Sequence, residues 1–313
     1  MFLKIKKKIN VKKIAKFLEA EYKGKNFNVH TFSSLNEPVD NSVCFYTDIL
    51  NPGFNLKDNV KYNLGKLSKF KNLLIITDQD LRGKTNQSFI ITKNPRLDFQ
   101  LVINNYFIKE EFGKGIHKKA LISKKSKIGK NVYIGANSYI GDNVKIGEGT
   151  KILQNVVILG KTSIGKNCRV KSNTSIGGEG FSFGFYENKH VHFPHTGEVR
   201  IGNDVWIGSN VTIEKGTIDS TKISDSVKID DLVHIGHNSY LGPYSQITVA
   251  SIIAGRARIG KKCWIAPNSV IDNGCVIGDE CLVGTHSLVR KNFESNSIIA
   301  GSPARLLKKF KKE

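Results

Sequence analysis

An aliphatic residue returns at every sixth position over most of the chain between residues 122 and 289. The first run passes through Ile122, Ile128, Ile134, Ile140, Ile146, Ile152, Ile158, Ile164, Val170 and Ile176. It resumes at Ile201, Ile207 and Ile213, shifts phase, and continues from Ile223 through Ile229, Ile235, Leu241, Ile247, Ile253, Ile259, Ile265, Ile271, Ile277, Val283 and Val289. Glycine often follows the aliphatic residue, as at Gly135, Gly147, Gly165, Gly236 and Gly242, and a small residue often stands two before it, as at Ser138, Thr150, Thr174, Ser239 and Ser251. This period predicts short strands joined by turns, three sides to a coil, with the aliphatic and small residues pointing inward.

The same phasing places four of the cysteines. Cys168, Cys263, Cys275 and Cys281 all stand two before the aliphatic position, where a small inward residue is expected. They read as core, because buried free cysteine behaves as a small hydrophobe; the alternative is a metal or redox cluster. No metal is expected. Cys44 lies outside the repeat and is assigned no role.

Two breaks interrupt the repeat. Residues 177–200, "GGEGFSFGFYENKHVHFPHTGEVR", follow no six-residue rule and carry aromatic residues and histidines; a shorter break falls near Gly216 to Lys222. Loops thrown out from a rigid scaffold are common places for function, and packing against a neighbouring copy is the plainer reading. One turn of the regular part, "DDLVHIGHN" from Asp230 to Asn238, is also unusually rich in polar chemistry.

Residues 1–114 show no six-residue period and read as a small α/β domain. "VKKIAKFLEAEY" is predicted helical, with Ile14, Phe17, Leu18 and Tyr22 on one face, and "RLDFQLVINNYF" is predicted as a second helix. "SVCFYTD", "NLLIITD" and "SFIITKN" are predicted as buried strands. The regular part is set at 115–303, and residues 304–313 are expected to form a basic tail, solvated or helical.

Composition narrows the picture in one respect. The 48 Lys and Arg against 27 Asp and Glu leave a net charge of +21, which favours acidic partners at long range. The lysines are spread over exposed repeat positions and both termini, so a nucleic-acid-binding scaffold is disfavoured and no nucleic acid is expected. A peripheral contact of the tail with an anionic membrane is compatible with either a binding or a catalytic role. The N-terminus "MFLKIKKKINVKK" lacks the apolar core of a signal peptide, and the cytoplasm is the expected compartment.

The repeat resembles that of the hexapeptide acyltransferases, which implies a mainly β chain: a left-handed parallel β-helix behind a small N-terminal α/β domain, assembled as a homotrimer with active sites in the clefts between subunits. "GEGFSFGF", "HFPHTGEVRIG", "TIEKGTIDST" and "KIDDLVHIGHN" are similar to motifs of the UDP-3-O-acylglucosamine N-acyltransferases of lipid A synthesis. The segment ending in "KNPRLDFQLVINNYF" is similar to that family's uridine-binding domain. Two departures stand out. The ending "GSPAR" looks like that of the CoA-dependent sugar acetyltransferases, where the lipid A enzymes continue into helices associated with the carrier protein. Gly274, preceded by Asn273, stands where the family has a second functional histidine.

Acyl transfer to an amine needs a base and donors for the developing oxyanion. His237, at a corner two residues after the inward Ile235, is the candidate base; Asp230 matches the family carboxylate that orients it, and Gly255, one coil later, is a candidate oxyanion donor. A structural histidine and a merely steric glycine are the competing readings. The resemblance makes Phe45 and Tyr46 candidates to stack on a uracil-type base, with a core role for at least one of them as the alternative; His192, His195 and Asn238 complete the acceptor-binding set, although Asn238 at a turn is also suited to bonding backbone. Donor-binding candidates are Phe181 and Phe183 (alternating with Phe185), Gly255, Asn273, Ala304 and Arg305. Loop packing accounts equally for the three phenylalanines. His234, on a flat side, is assigned to packing between copies.

The expected activity is transfer of an acyl group from a thioester to the amino group of a nucleotide-linked amino sugar for cell-surface glycan synthesis. Acyl-CoA is favoured over acyl-carrier protein as donor, and no cofactor is permanently bound. The second reading is a lipid A type N-acyltransferase using the carrier protein; a non-catalytic β-helix scaffold is the third.

Overall fold

The residues that set the six-residue period all turn inward. In the computed structural model, which describes residues 2–4, 7–47, 64–110 and 115–310, the chain divides into two compact units, Met1–Phe112 and Gly113–Glu313. The second unit is a left-handed parallel β-helix whose sides are sheets of nine, eight and ten strands. Each strand pairs in parallel with the one a coil later, so that Ile140 lies over Ile158 and Ile158 over Ile176. The stacked aliphatic residues form one continuous core with Cys168, Cys263, Cys275 and Cys281, as the phasing predicts.

Polar atoms inside this core are satisfied by the repeat itself. The buried hydroxyls of Ser138, Ser245 and Ser269 each donate to a backbone carbonyl in the next coil, on Leu153, Gly260 and Gly284, at 2.7–2.8 Å. The Cys263 thiol reaches the Gly278 carbonyl in the same way at 3.0 Å. Buried small polar residues are tolerable because each has a fixed acceptor. At many corners an asparagine, such as Asn143, Asn173 or Asn238, takes the left-handed backbone conformation that turns the chain onto the next side.

Both breaks in the period are ordered. The first leaves the nine-stranded sheet after Ser175–Gly178 and forms an antiparallel hairpin of Phe183–Tyr186 and Lys189–His192. Its turn, Glu187-Asn188, has positive φ at both residues, the geometry that suits a two-residue hairpin. The chain rejoins the helix at Glu198–Ile201. Thr196, Gly197 and Glu198 donate their N–H groups to the carbonyls of Thr217, Gly216 and Asp219 at 2.7–3.1 Å, so the two breaks are bound to each other.

The residues of the expected basic tail form a strand, Ala304–Lys309, instead of a helix or a free end. It pairs antiparallel with Ser297–Gly301 at the edge of the ten-stranded sheet. The last three residues, 311–313, and the expected boundary at 114 lie outside the described residues.

The N-terminal unit holds a five-stranded sheet in the order Glu21–Lys23, Ser88–Ile91, Leu74–Thr77, Ser42–Tyr46, Thr31–Phe32; only the first of these is antiparallel to its neighbour. Helix α1 (Val11–Phe17) is capped by Asn10, whose side chain accepts from Lys12 N–H, and helix α2 (Pro95–Tyr106) by Asn94, which accepts from Leu97 N–H. Helix α1 is shorter than predicted. Glu19 adopts a positive φ just after it, and Tyr22, expected on the helix, belongs to the strand Glu21–Lys23. Cys44 is fully buried in this unit and packs with Ile75 and Phe89; burial pushes its thiol up to about 12.

Candidate active site

His237 stands at the corner after the short strand His234–Ile235, and four neighbours fix it. Its backbone N–H donates to Glu214 Oε2 at 3.0 Å. Its Nδ1 lies 3.0 Å from Asn238 Oδ1. The same Oδ1 accepts from the Thr217 backbone N–H and Oγ1, both at 3.0 Å, and Asn238 N–H in turn donates to Thr221 Oγ1 at 2.8 Å. A backbone N–H is only a donor, so the Asn238 atom facing Thr217 is the carbonyl oxygen. An oxygen cannot donate, so Nδ1 of His237 carries the hydrogen and the neutral ring presents its lone pair at Nε2.

That lone pair lies against Gly255. A methyl group on Gly255 would sit 2.6 Å from His237 Nε2, so only glycine fits beside the ring. The coils register through this corner: Arg256 N–H donates to the His237 carbonyl at 2.8 Å, and Gly274 N–H to the Gly255 carbonyl at 3.0 Å. Among the described residues no hydrogen bond uses the Gly255 N–H. Around Gly274 the space is open, with nothing within 4 Å of a methyl placed there. Asn273 is exposed, and its N–H is taken by Asp272 Oδ1.

The other edge of the ring is covered by the long break. His195 is 2% exposed and its ring stands 5.3 Å from that of His237, edge to face. Its Nδ1 donates to the Phe193 carbonyl at 3.1 Å, which leaves Nε2 buried without a partner. Burial lowers the His195 pKa, and the neighbouring His237 charge adds to the effect. Gly180 closes the cluster: a methyl there would lie 2.6 Å from Glu214 Oε2, 3.0 Å from His195 Nε2 and 3.1 Å from His237 Cδ2. The segment is tied down through Glu179, which pairs with Lys215 at 3.2 Å and with His192 at 3.4 Å.

A family model described as bacterial transferase hexapeptide, six repeats, matches residues 125–160, 143–178 and 256–291, and one described as the hexapeptide repeat of succinyl-transferase matches 198–242. No curated protein matches the sequence significantly. Among solved structures, LpxA from Acinetobacter baumannii is 27% identical with a TM-score of 0.58, the match covering 62% of this chain and 74% of that one. The UDP-N-acetylglucosamine acyltransferase from Francisella novicida is 26% identical, at 62% and 70% coverage and a TM-score of 0.58. Its Campylobacter jejuni counterpart is 25% identical, at 62% and 75% coverage and a TM-score of 0.56. The chain is a hexapeptide-repeat acyltransferase.

Of the residues singled out in the sequence of this acyltransferase, His237, Gly255, Asn238 and His195 come together within one chain. Asp230 does not join them. It is exposed at the corner that ends the preceding side of the coil, and its carboxylate accepts from the Asp231 N–H at 2.8 Å. The orienting group on Nδ1 is Asn238 instead. His192 joins the cluster at its edge: its ring stacks on that of His195 with centres 6.3 Å apart, it pairs with Glu179, and it lies 5.0 Å from the Phe183 ring. Phe181 and Phe183 line no tunnel within one chain. Together with Phe185 they lie exposed on and beside the hairpin, Phe181 at 87%. Ala304 is buried and Arg305 exposed at the start of the last strand of the ten-stranded sheet, away from the His237 corner.

Phe45 and Tyr46 point to opposite faces of their sheet. Phe45 packs towards Phe99 with ring centres 5.2 Å apart, whereas Tyr46 packs with the Cys44 and Phe89 cluster. One base cannot be stacked by both. His234, placed on a flat side by the sequence, is held there by Thr212 Oγ1 at 2.7 Å and faces Glu214 Oε1 at 3.8 Å. Glu214 and Thr217 lie within "TIEKGTIDST" and Gly180 within "GEGFSFGF", but nothing in those motifs taken residue by residue marks their contacts with the His237 corner.

Proposed function

We propose that the protein transfers an acyl group from a thioester to the amino group of a nucleotide-linked amino sugar, with His237 as the general base. The observation that carries the reading is the fixed tautomer: Asn238 Oδ1 holds Nδ1–H, which leaves the Nε2 lone pair free beside the unpaired N–H of Gly255. In this reading the neutral amine attacks the thioester carbonyl and its proton passes to Nε2. The carbonyl oxygen, now charged, is met by the Gly255 N–H. Collapse breaks the carbon–sulfur bond, and the departing thiolate takes up the proton from the imidazolium.

The acceptor class is supported by the solved structures this chain resembles, two of which are described as UDP-N-acetylglucosamine acyltransferases. Transfer to nitrogen is supported by the motifs "GEGFSFGF" and "KIDDLVHIGHN". The likeness of the "GSPAR" motif to that of the CoA-dependent sugar acetyltransferases supports acyl-CoA as donor, with a short acyl group. A second reading, the lipid A type transferase that uses acyl-carrier protein, is favoured by those same central motifs. The assembly proposed is a homotrimer. No described helix is long and apolar enough to cross a membrane.

The test is turnover with acetyl-CoA, longer acyl-CoAs and acyl-carrier protein against a panel of UDP- and dTDP-amino sugars. His237→Ala is expected to lower kcat by roughly 10²–10⁴, the usual worth of a general base, with both substrates still bound. Near-normal kcat in an intact His237→Ala assembly would show that the histidine only holds the substrate. Turnover with the carrier protein and with no acyl-CoA would select the second reading.

A further inference from the structure

The two breaks that close over His237 on one side also build a groove on the other. It encloses about 940 Å³ along the eight-stranded sheet and is lined by five cationic side chains, Lys161, Arg200, Lys222, Arg256 and Arg258, against two carboxylates, Glu198 and Asp219. Its floor comes from an outward-facing column in register, where Arg200 lies beside Lys222, Lys222 beside Tyr240 and Tyr240 beside Arg258. One wall is Thr217 to Ser220 of the short break, and Asn238 lines the groove as well. The side chain that fixes the tautomer of His237 is therefore also part of the groove wall.

The charges in the groove are unequally matched. Arg200 is paired with Glu198, and Arg258 lies over the Tyr240 ring at 5.1 Å. Lys161, Lys222 and Arg256 have no carboxylate within ion-pair distance among the described residues. Arg256 holds a positive φ, which turns it out of the helix one residue after Gly255. An Arg held by a carboxylate or an aromatic ring is pre-ordered for a planar or tetrahedral oxyanion, and unpaired lysines beside it supply the remaining charge. Charges in a walled recess are also screened by salt less than charges on an open face.

We propose that this groove binds the phosphate groups of a substrate, in the form of a diphosphate ester. Two substrates of the proposed reaction carry such a group, the nucleotide-linked sugar and CoA, and the inference rests on that reading only for the choice between them. The recess lies beside the attacking centre, so a bound diphosphate places the adjoining sugar or pantetheine arm next to Asn238 and His237.

The test is calorimetric titration of the full chain with inorganic pyrophosphate, UDP and 3′-phosphoadenosine 5′-diphosphate. Saturable binding is expected, weakened about tenfold or more in Lys222→Ala/Arg258→Ala through loss of two charge-assisted contacts. The control is Lys127→Ala/Lys145→Ala, which removes the same charge from the far end of the same column and is expected to leave binding unchanged. Tighter binding of UDP assigns the groove to the acceptor, and tighter binding of the 3′-phosphoadenosine 5′-diphosphate assigns it to the donor. Equal loss in both pairs of variants, or no loss in the groove pair, overturns the proposal, because binding would then follow net charge and not the groove. Binding with no turnover of any acyl donor would sink the acyl-transfer reading and leave the groove standing; turnover that the groove variants do not alter, with no pyrophosphate binding, would do the reverse.

Discussion

Asn238 is the residue on which the chemistry turns. Its carbonyl oxygen accepts from three groups at once, and two of them come from Thr217 in the short break. Removing the amide lets the hydrogen of His237 move from Nδ1 to Nε2, the tautomer that cannot accept a proton at Nε2. Asn238→Ala is therefore expected to lower kcat by roughly 10–100-fold, less than loss of the imidazole, since part of the ring population keeps the useful tautomer. A change confined to KM would show that Asn238 contacts the substrate and does not set the base. His195 yields a prediction in pH. Its pKa is held below the ordinary histidine value, first by burial. The unfolded chain binds this proton at a higher pH than the folded one, so the stability tied to neutral His195 is present above about pH 6.5 and falls as the pH drops through the folded value. An NMR titration should find the His195 midpoint below the ordinary histidine value of about 6.5; a midpoint at or above it would contradict the burial argument.

At the scale of elements, the hairpin Phe183–His192 is out of keeping with the closed coils beneath it. Phe181, Phe185 and Tyr186 are each at least two-thirds exposed, far more than the aromatic residues of the N-terminal core. A proposed trimer covers them with neighbouring copies. Replacing the three by Ser should lower the sedimenting mass from that of a trimer towards 34.8 kDa. A trimer that survives the triple change would place the contacts elsewhere. The regular elements were legible in the sequence because the inward position repeats with one period and every strand obeys it. The ring of contacts around His237 was not. Counting back one regular coil of eighteen residues from His237 lands on Asp219, but the short break adds residues, and Thr212 pairs with His234 at a separation of 22. Glu214 thereby moves into the place beside the histidine. Asp230 stands apart from His237 within the chain for a related reason: seven residues back is the neighbouring corner of the same coil, not the one stacked on His237. Phe45 and Tyr46 are split between two faces by the two-residue alternation of their strand, so at most one of them can meet a given base.

For the whole molecule, what matters is that neighbouring coils meet in strict register and each touches only the next. Residues eighteen apart stand in equivalent surroundings, as Tyr133 and Lys151 do in their shared ladder. The β-helix therefore has a unit of exchange. Excising residues 133–150 removes one such unit and brings Lys151 to the place that Tyr133 held, so the chain is expected to fold with a cooperative melt and an unaltered far-ultraviolet spectrum. Excising seventeen residues instead turns every aliphatic side chain beyond the junction off its inward position, and should give an insoluble product. Equal tolerance of both deletions would mean that the register is not what holds the coils together. If the two differ as expected, length in this protein is quantised: evolution can add or drop whole turns on either side of the His237 corner, and cannot add a single residue except by looping it out, as both breaks do.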